Sequence, residues 1–105
     1  MADYVQRMVE GLARTLARIA VGRRAGRLDQ AQSEIADAAQ RIAGVDISLV
    51  DVLGPTAITA HLDDRFRLDA LASLCDERAE VEAARGDAAG AERWHAHALA
   101  FRGKA

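Results

Sequence analysis

Three histidines, one cysteine and a few grouped acids are the side chains in this 105-residue chain with the chemistry to hold a metal, move a proton or attack an electrophile. His95 and His97 stand two residues apart. A zinc site needs three or four ligands that converge, but residues two apart on a helix diverge by about 200°. His61 and Cys75 stand at no ligand spacing from the pair. Asp63-Asp64 could hold a hard cation or act as an acid and base. Placed just before a predicted helix, adjacent acids are expected instead to cap free amides at its positive end. Asp76, Glu77 and Glu80 recur at helical spacing among arginines, the pattern of a solvated face. Cys75 falls on an apolar stripe with no histidine at a fixed short distance, so a buried structural thiol is expected, not a nucleophile. As the only cysteine it can form no intrachain disulfide. The glycines punctuate helices and form no phosphate-cradling loop after a strand. These residues predict no enzyme, no metal site and no cofactor.

Binding is the other chemistry to weigh. Trp94, the only tryptophan, is either a core anchor or part of a docking surface, where tryptophan often dominates the energy. Charge is unevenly spread. Residues 1–27 hold six arginines against Asp3 and Glu10, and the remaining 78 residues hold 8 basic and 14 acidic groups, for a net charge of −2. The basic first helix is expected to pack beside acidic later ones, the other reading being a basic binding face. The small net charge, with arginines not interleaved with aromatics, gives no reason to expect nucleic acid. Partner contacts are expected near Arg23, Arg24, Arg27 and Trp94.

The elements that must position these groups are helices. Alanine, leucine, arginine and glutamate favour helix, and no β-branched residues alternate as a strand requires. A first amphipathic helix is expected over residues 2–24, with Val5, Met8, Val9, Leu12, Leu16, Ile19 and Ala20 on one stripe and Arg7, Arg14 and Arg18 off it. Gly11 inside it suggests a close helix crossing. A second helix is expected over 28–43, opened by Asp29 as a cap and closed by Gly44. Short irregular helices follow over 47–62, capped by Asp46 and broken at Gly54-Pro55. A long helix over about 65–85 carries Leu68, Leu71, Ala72, Cys75, Ala79 and Ala83 inward, and the run Asp76, Glu77, Arg78, Glu80, Glu82, Arg85 as its wet face. A last helix capped by Asp87 reaches Phe101, with Ala91, Trp94, Ala98, Leu99 and Phe101 inward. The tail Gly103–Ala105 is expected to fray.

Two stretches echo each other. Gly26, Ala31, Ile35 and Ala38 mark one copy, and Gly86, Ala91, His95 and Ala98 mark the other. Glycine in the turn, alanine early in the second helix, a larger residue four later and alanine three after that resembles the tetratricopeptide repeat, a helical hairpin of about 34 residues. The first-helix half of that motif keeps Ala79, and the turn glycines stand 60 residues apart, so an irregular middle replaces a regular repeat. The chain is similar to small bacterial members of that family with divergent repeats. The resemblance implies an all-α fold of stacked helical hairpins, five or six helices in one domain over 1–105. It implies a protein or peptide partner held in a concave groove.

The reading is thus a non-enzymatic interaction module or scaffold. Two hairpins leave open ends, and stacked repeats need capping, so a homodimer is expected. The alternative is a peripheral membrane factor using the basic first helix. Against it, the stripe lacks tryptophan and phenylalanine, and the later helices need a partner for their own apolar faces. No stretch nears the roughly 20 apolar residues that span a bilayer, nor is a secretory leader seen. A cytoplasmic location is expected.

Overall fold

Glycine at positive φ sets the two main turns. Gly26 (φ 82°) and Gly86 (φ 86°) take the left-handed conformation that side chains with a Cβ resist. Around each, the backbone bonds repeat. The Gly26 amide donates to the Arg23 carbonyl at 3.0 Å and the Arg27 amide to Gly22 at 2.9 Å. The Gly86 amide donates to Ala83 at 3.0 Å and the Asp87 amide to Glu82 at 2.9 Å. The six-to-one bond in each marks a Schellman ending, which satisfies carbonyls that the last helical turn leaves unpaired. The sequence echo is therefore an echo of backbone geometry.

The computed structural model of the protein describes residues 2–103, and within them the chain is all α, with six helices and no strand. These are α1 Ala2–Arg24, α2 Leu28–Ala38, α3 Ser48–Leu53, α4 Pro55–His61, α5 Arg65–Ala84 and α6 Ala88–Phe101. Lys104 and Ala105, in the tail expected to fray, lie outside the described residues. The second expected helix does not stay α throughout. Its last stretch, Ala39–Ala43, widens into a π-turn before Gly44 (φ 69°) ends it. Ala38, Ala39 and Ala43 are all buried there, so the wider winding turns adjacent small residues inward together.

Capping departs from expectation at one helix. Asp64 accepts from the Arg67 amide at 3.1 Å and Asp87 from the Gly90 amide at 2.9 Å, as N-caps do. Asp46 accepts from both the amide and the hydroxyl of Ser48, which holds its carboxyl below the usual range, mainly through the hydroxyl bond. Asp29 does not cap α2. The position before that helix is Arg27, which makes no side-chain cap. The Asp29 carboxylate instead takes Arg85 at 2.7 Å from the far turn. A charged partner across the fold outcompetes a neutral amide nearby.

α5 is the centre of the fold. It packs against α1, α2, the π-turn and α6, while α4 leans on α6 and α3 on α4. Leu68, Ala70, Leu71, Ala72, Leu74, Cys75, Ala79 and Val81 are buried along it. A helix covered on so many sides cannot keep one wet face. The acidic run expected to be solvated is accordingly divided. Arg78 bonds Glu82 at 2.9 Å, and Arg85 reaches Glu82 at 3.3 Å, Asp29 at 2.7 Å and the Gln32 amide oxygen. Glu82 itself is buried. This chain of bonds ties the end of α5 to the start of α2. Ala83 and Leu99, expected inward, are exposed. The remaining core is small residues where helices meet (Ala31, Ala38, Ala98) with Ile19, Ile35, Val50, Trp94 and Phe101 filling the gaps.

Candidate functional site

At about 1.5 Å per residue, the 23 residues of α1 extend roughly 34 Å, and only their second half is well covered. Thr15 and Ile19 are buried, and Met8, Leu12 and Leu16 are half-buried. Tyr4, Val5 and Val9 are 63%, 55% and 51% exposed. The stripe expected to pack along its whole length is therefore filled only at one end. Gly11 makes no close crossing either. The nearest atom to a Cβ added there is Arg14 Nη2, at 3.9 Å.

The uncovered half of α1 faces the π-turn and the start of α5 across a groove of about 740 Å³. Its apolar lining is Tyr4, Met8, Leu12, Ile42 and Phe66. Around these stand Arg7, Arg14, Arg18, Arg41 and Arg67, with Asp64 the one carboxylate. Three of the arginines have acidic neighbours: Arg18 with Glu34 at 3.7 Å, Arg41 with Asp37 at 3.9 Å and Arg67 with Asp64 at 3.6 Å. Pairs this long and this exposed are worth about 0–1 kcal/mol, so the guanidinium groups are free to turn toward an incoming anion. Arg7 donates only to the Asp3 carbonyl, at 3.3 Å. Arg14 forms no ion pair among the described residues. The site is amphipathic and strongly positive. Its chemistry is recognition, by bidentate bonds to carboxylate or phosphate around an apolar contact.

The residues singled out from the sequence lie elsewhere. Arg23 is largely covered and faces Glu77 of α5 at 3.6 Å. Arg24 and Arg27 are exposed at the first turn. Trp94 is buried under the Arg78 guanidinium, 5.0 Å from the ring centroid, with the His97 ring edge-on at 5.2 Å. None of the four lines the groove. Arg41, Phe66 and Arg67 come from segments far apart in the chain, so no local spacing marks them as site residues. One local signal existed: Arg7, Gly11, Arg14 and Arg18 recur at spacings of four, three and four, which puts them on one helical face.

The histidines do meet acids. His95 Nδ1 lies 2.9 Å from Asp76, which also takes Arg102 at 2.8 Å. His97 Nε2 lies 2.8 Å from Asp51, which takes Arg93 at 3.0 Å. Burial raises the Asp51 carboxyl, but the bonds from Arg93 and His97 outweigh it and hold the group below the usual range. In a hydrolytic triad the free imidazole nitrogen faces a nucleophile. Here the second nitrogen of His95 faces Glu80 at 3.5 Å. Among the described residues no three His, Cys, Asp or Glu side chains are grouped to hold a metal ion, and no helix is long and apolar enough to cross a membrane.

Burial pushes the Cys75 thiol up to about 12, with the nearby Asp76 and Asp51 charges adding to the effect. Ellman's reagent at pH 8 is expected to leave this thiol unmodified in the native chain and to titrate one thiol in denaturant. The same shift sets an alkaline limit. An unfolded thiol ionises near 9, so above that pH unfolding releases a proton. Stability is full below about 9 and falls as pH rises toward 12, by at most about 1.4 kcal/mol per unit from this group. Urea midpoints at pH 8 and pH 10.5, compared with those of Cys75→Ala, check it.

Comparison with protein-family models, with curated proteins and with solved structures found no match to this chain.

Proposed function

We propose that this chain is a non-enzymatic protein-docking module of stacked helical hairpins, tetratricopeptide-like in plan, whose partner polypeptide enters the groove between α1 and α5. The twin Schellman turns support the plan, as does the packing of α5 against both α1 and α2, since in stacked hairpins the first helix of one unit rests on both helices of the unit before. One observation carries the docking site: five arginines from three separate segments surround an apolar floor that holds a single carboxylate. Folding gives Arg18, Arg41 and Arg67 an acidic neighbour but Arg7 and Arg14 none among the described residues, so repulsion within the cluster remains. A polypeptide with acidic and apolar side chains in alternation offsets that repulsion and covers the floor.

The double variant Arg7→Glu, Arg14→Glu tests this. Both positions are exposed and, among the described residues, form no ion pair, so helicity and melting temperature are expected to stay close to those of the parent. Affinity capture from a lysate of the source cell is expected to lose its bound partner by tenfold or more. Unchanged capture would reject the groove.

A second reading rests on Val5 and Val9, which lie exposed beside Arg7 and Arg14: this half of α1 could lie on an anionic membrane surface. Flotation with vesicles of anionic lipid separates the two, because the membrane reading requires the parent to float without any protein partner.

A further inference from the structure

The chain carries a second exposed apolar surface, on α3, none of whose residues lines the groove. On α3, Leu49, Val52 and Leu53 share one helical face. Val52 is 75% exposed, and Leu49 and Leu53 are exposed beside it. The other face of α3 is engaged. Val50 is buried, and Asp51 is bonded to Arg93 and His97 of α6. α3 packs on α4, and α4 on α6, whereas α1 packs on α2 and α5. The α3 knob and the groove share no residue and are different surfaces.

Their charges are opposite. From Val45 to Asp63 the sequence has no lysine or arginine but holds Asp46, Asp51 and Asp63, of which Asp51 is bonded to Arg93 and His97 of α6. Asp46 stands at the entry to α3, exposed beside the apolar knob. The groove presents Arg7, Arg14, Arg18, Arg41 and Arg67 around its apolar floor. An apolar knob with the exposed Asp46 carboxylate at its edge and a basic apolar groove occur once each on every chain. Resting on the docking reading above, we infer that the groove's partner is a second copy of this chain, which inserts Leu49, Val52 and Leu53 of its α3. Because the contact joins two unlike surfaces, it is heterologous. Each added chain leaves a free knob at one end and a free groove at the other, so assembly continues head to tail until it closes into a ring or grows as a filament.

Light scattering on the full chain, from about 1 μM to about 1 mM, is expected to show mass rising with concentration above the 11.3 kDa of one chain. The rise is expected to weaken in high salt. Two variants sharpen the test. Val52→Glu with Leu53→Glu disables the knob, and Arg7→Glu with Arg14→Glu disables the groove. All four positions are exposed, and circular dichroism checks that each variant is folded. Each alone is expected to be monomeric. Mixed, they keep one working knob and one working groove between them, so a complex of two chains is expected that grows no further. A parent that stays at monomer mass at every concentration overturns the inference. So does self-association that persists in both variants, or a mixture that remains monomeric. A monomeric parent whose partner capture is still lost in the arginine variant would overturn only the second-copy assignment and leave the docking groove standing. Capture unchanged in that variant would overturn both.

Discussion

Replacing Trp94 by alanine is expected to cost about 3–5 kcal/mol, a large share of the 5–15 kcal/mol that holds a domain folded. The ring is 1% exposed and is the largest side chain in the core. It fills the seam between α5 and α6, with Arg78 above its face and the edge of His97 against it. Few other aromatics are present to close over the gap, and alanine neighbours cannot expand into it. Urea unfolding followed by circular dichroism should show a midpoint far below the parent's, or no folded baseline. Trp94→Phe separates packing from hydrogen bonding. The indole Nε1 is buried without a partner among the described residues, so losing it sacrifices no bond to them. Phenylalanine should therefore recover most of what alanine loses. Equal loss in the two variants would contradict this environment.

The second large effect is expected at the Arg23–Glu77 pair. The nearest atoms are 3.6 Å apart, the side chains are 17% and 18% exposed, and among the described residues neither Arg23 Nε nor Glu77 Oε1 has a hydrogen-bond partner. Both groups are thus mostly covered, with one polar atom on each lacking the bond that would repay its loss of water. Glu77→Leu leaves the guanidinium covered and unpaired, at an expected cost of about 3 kcal/mol, the low end for breaking a buried pair because some solvent contact remains. Arg23→Met should cost a similar amount. The double variant replaces both charges by apolar groups of comparable size and is expected to come close to the parent. A double-mutant cycle on urea midpoints reads the result. Additive losses would mean that the two groups do not interact.

Local rules reached far into this fold and stopped at identifiable places. The ends of α1 and α5 could be read because Gly26 and Gly86 each follow a periodic apolar run. Gly54-Pro55 likewise separated α3 from α4, with proline in the first turn of α4. Rules of that kind consult a few neighbouring residues. Asp29 escaped them because its partner, Arg85, is 56 positions away. The burial of Glu82 and the partial covering of Glu77 and Arg78 escaped them because both depend on how many helices surround α5, not on the stripe of α5 itself. The groove was the least legible feature. Half of it was visible as arginines on one face of α1. The other half, Arg41, Phe66 and Arg67, joins it only when the π-turn and the start of α5 come together in space. Exposed Arg24 and Arg27 and buried Trp94 show the converse: residue type proposes a contact surface, and tertiary position decides what the side chain can meet.

The widened winding at Ala39–Ala43 makes chain length, more than residue identity, the sensitive quantity in that stretch. One residue turns an α-helix by about 100°. Adding one more residue there, where the wider winding already absorbs a surplus one, would swing everything downstream around the axis of α2. Ile47 and Val50 would leave the core, and the outward face of the corner would aim elsewhere. A conservative exchange such as Ala39→Ser leaves the phase of the helix intact. This stretch should therefore tolerate modest spelling changes far better than an added residue.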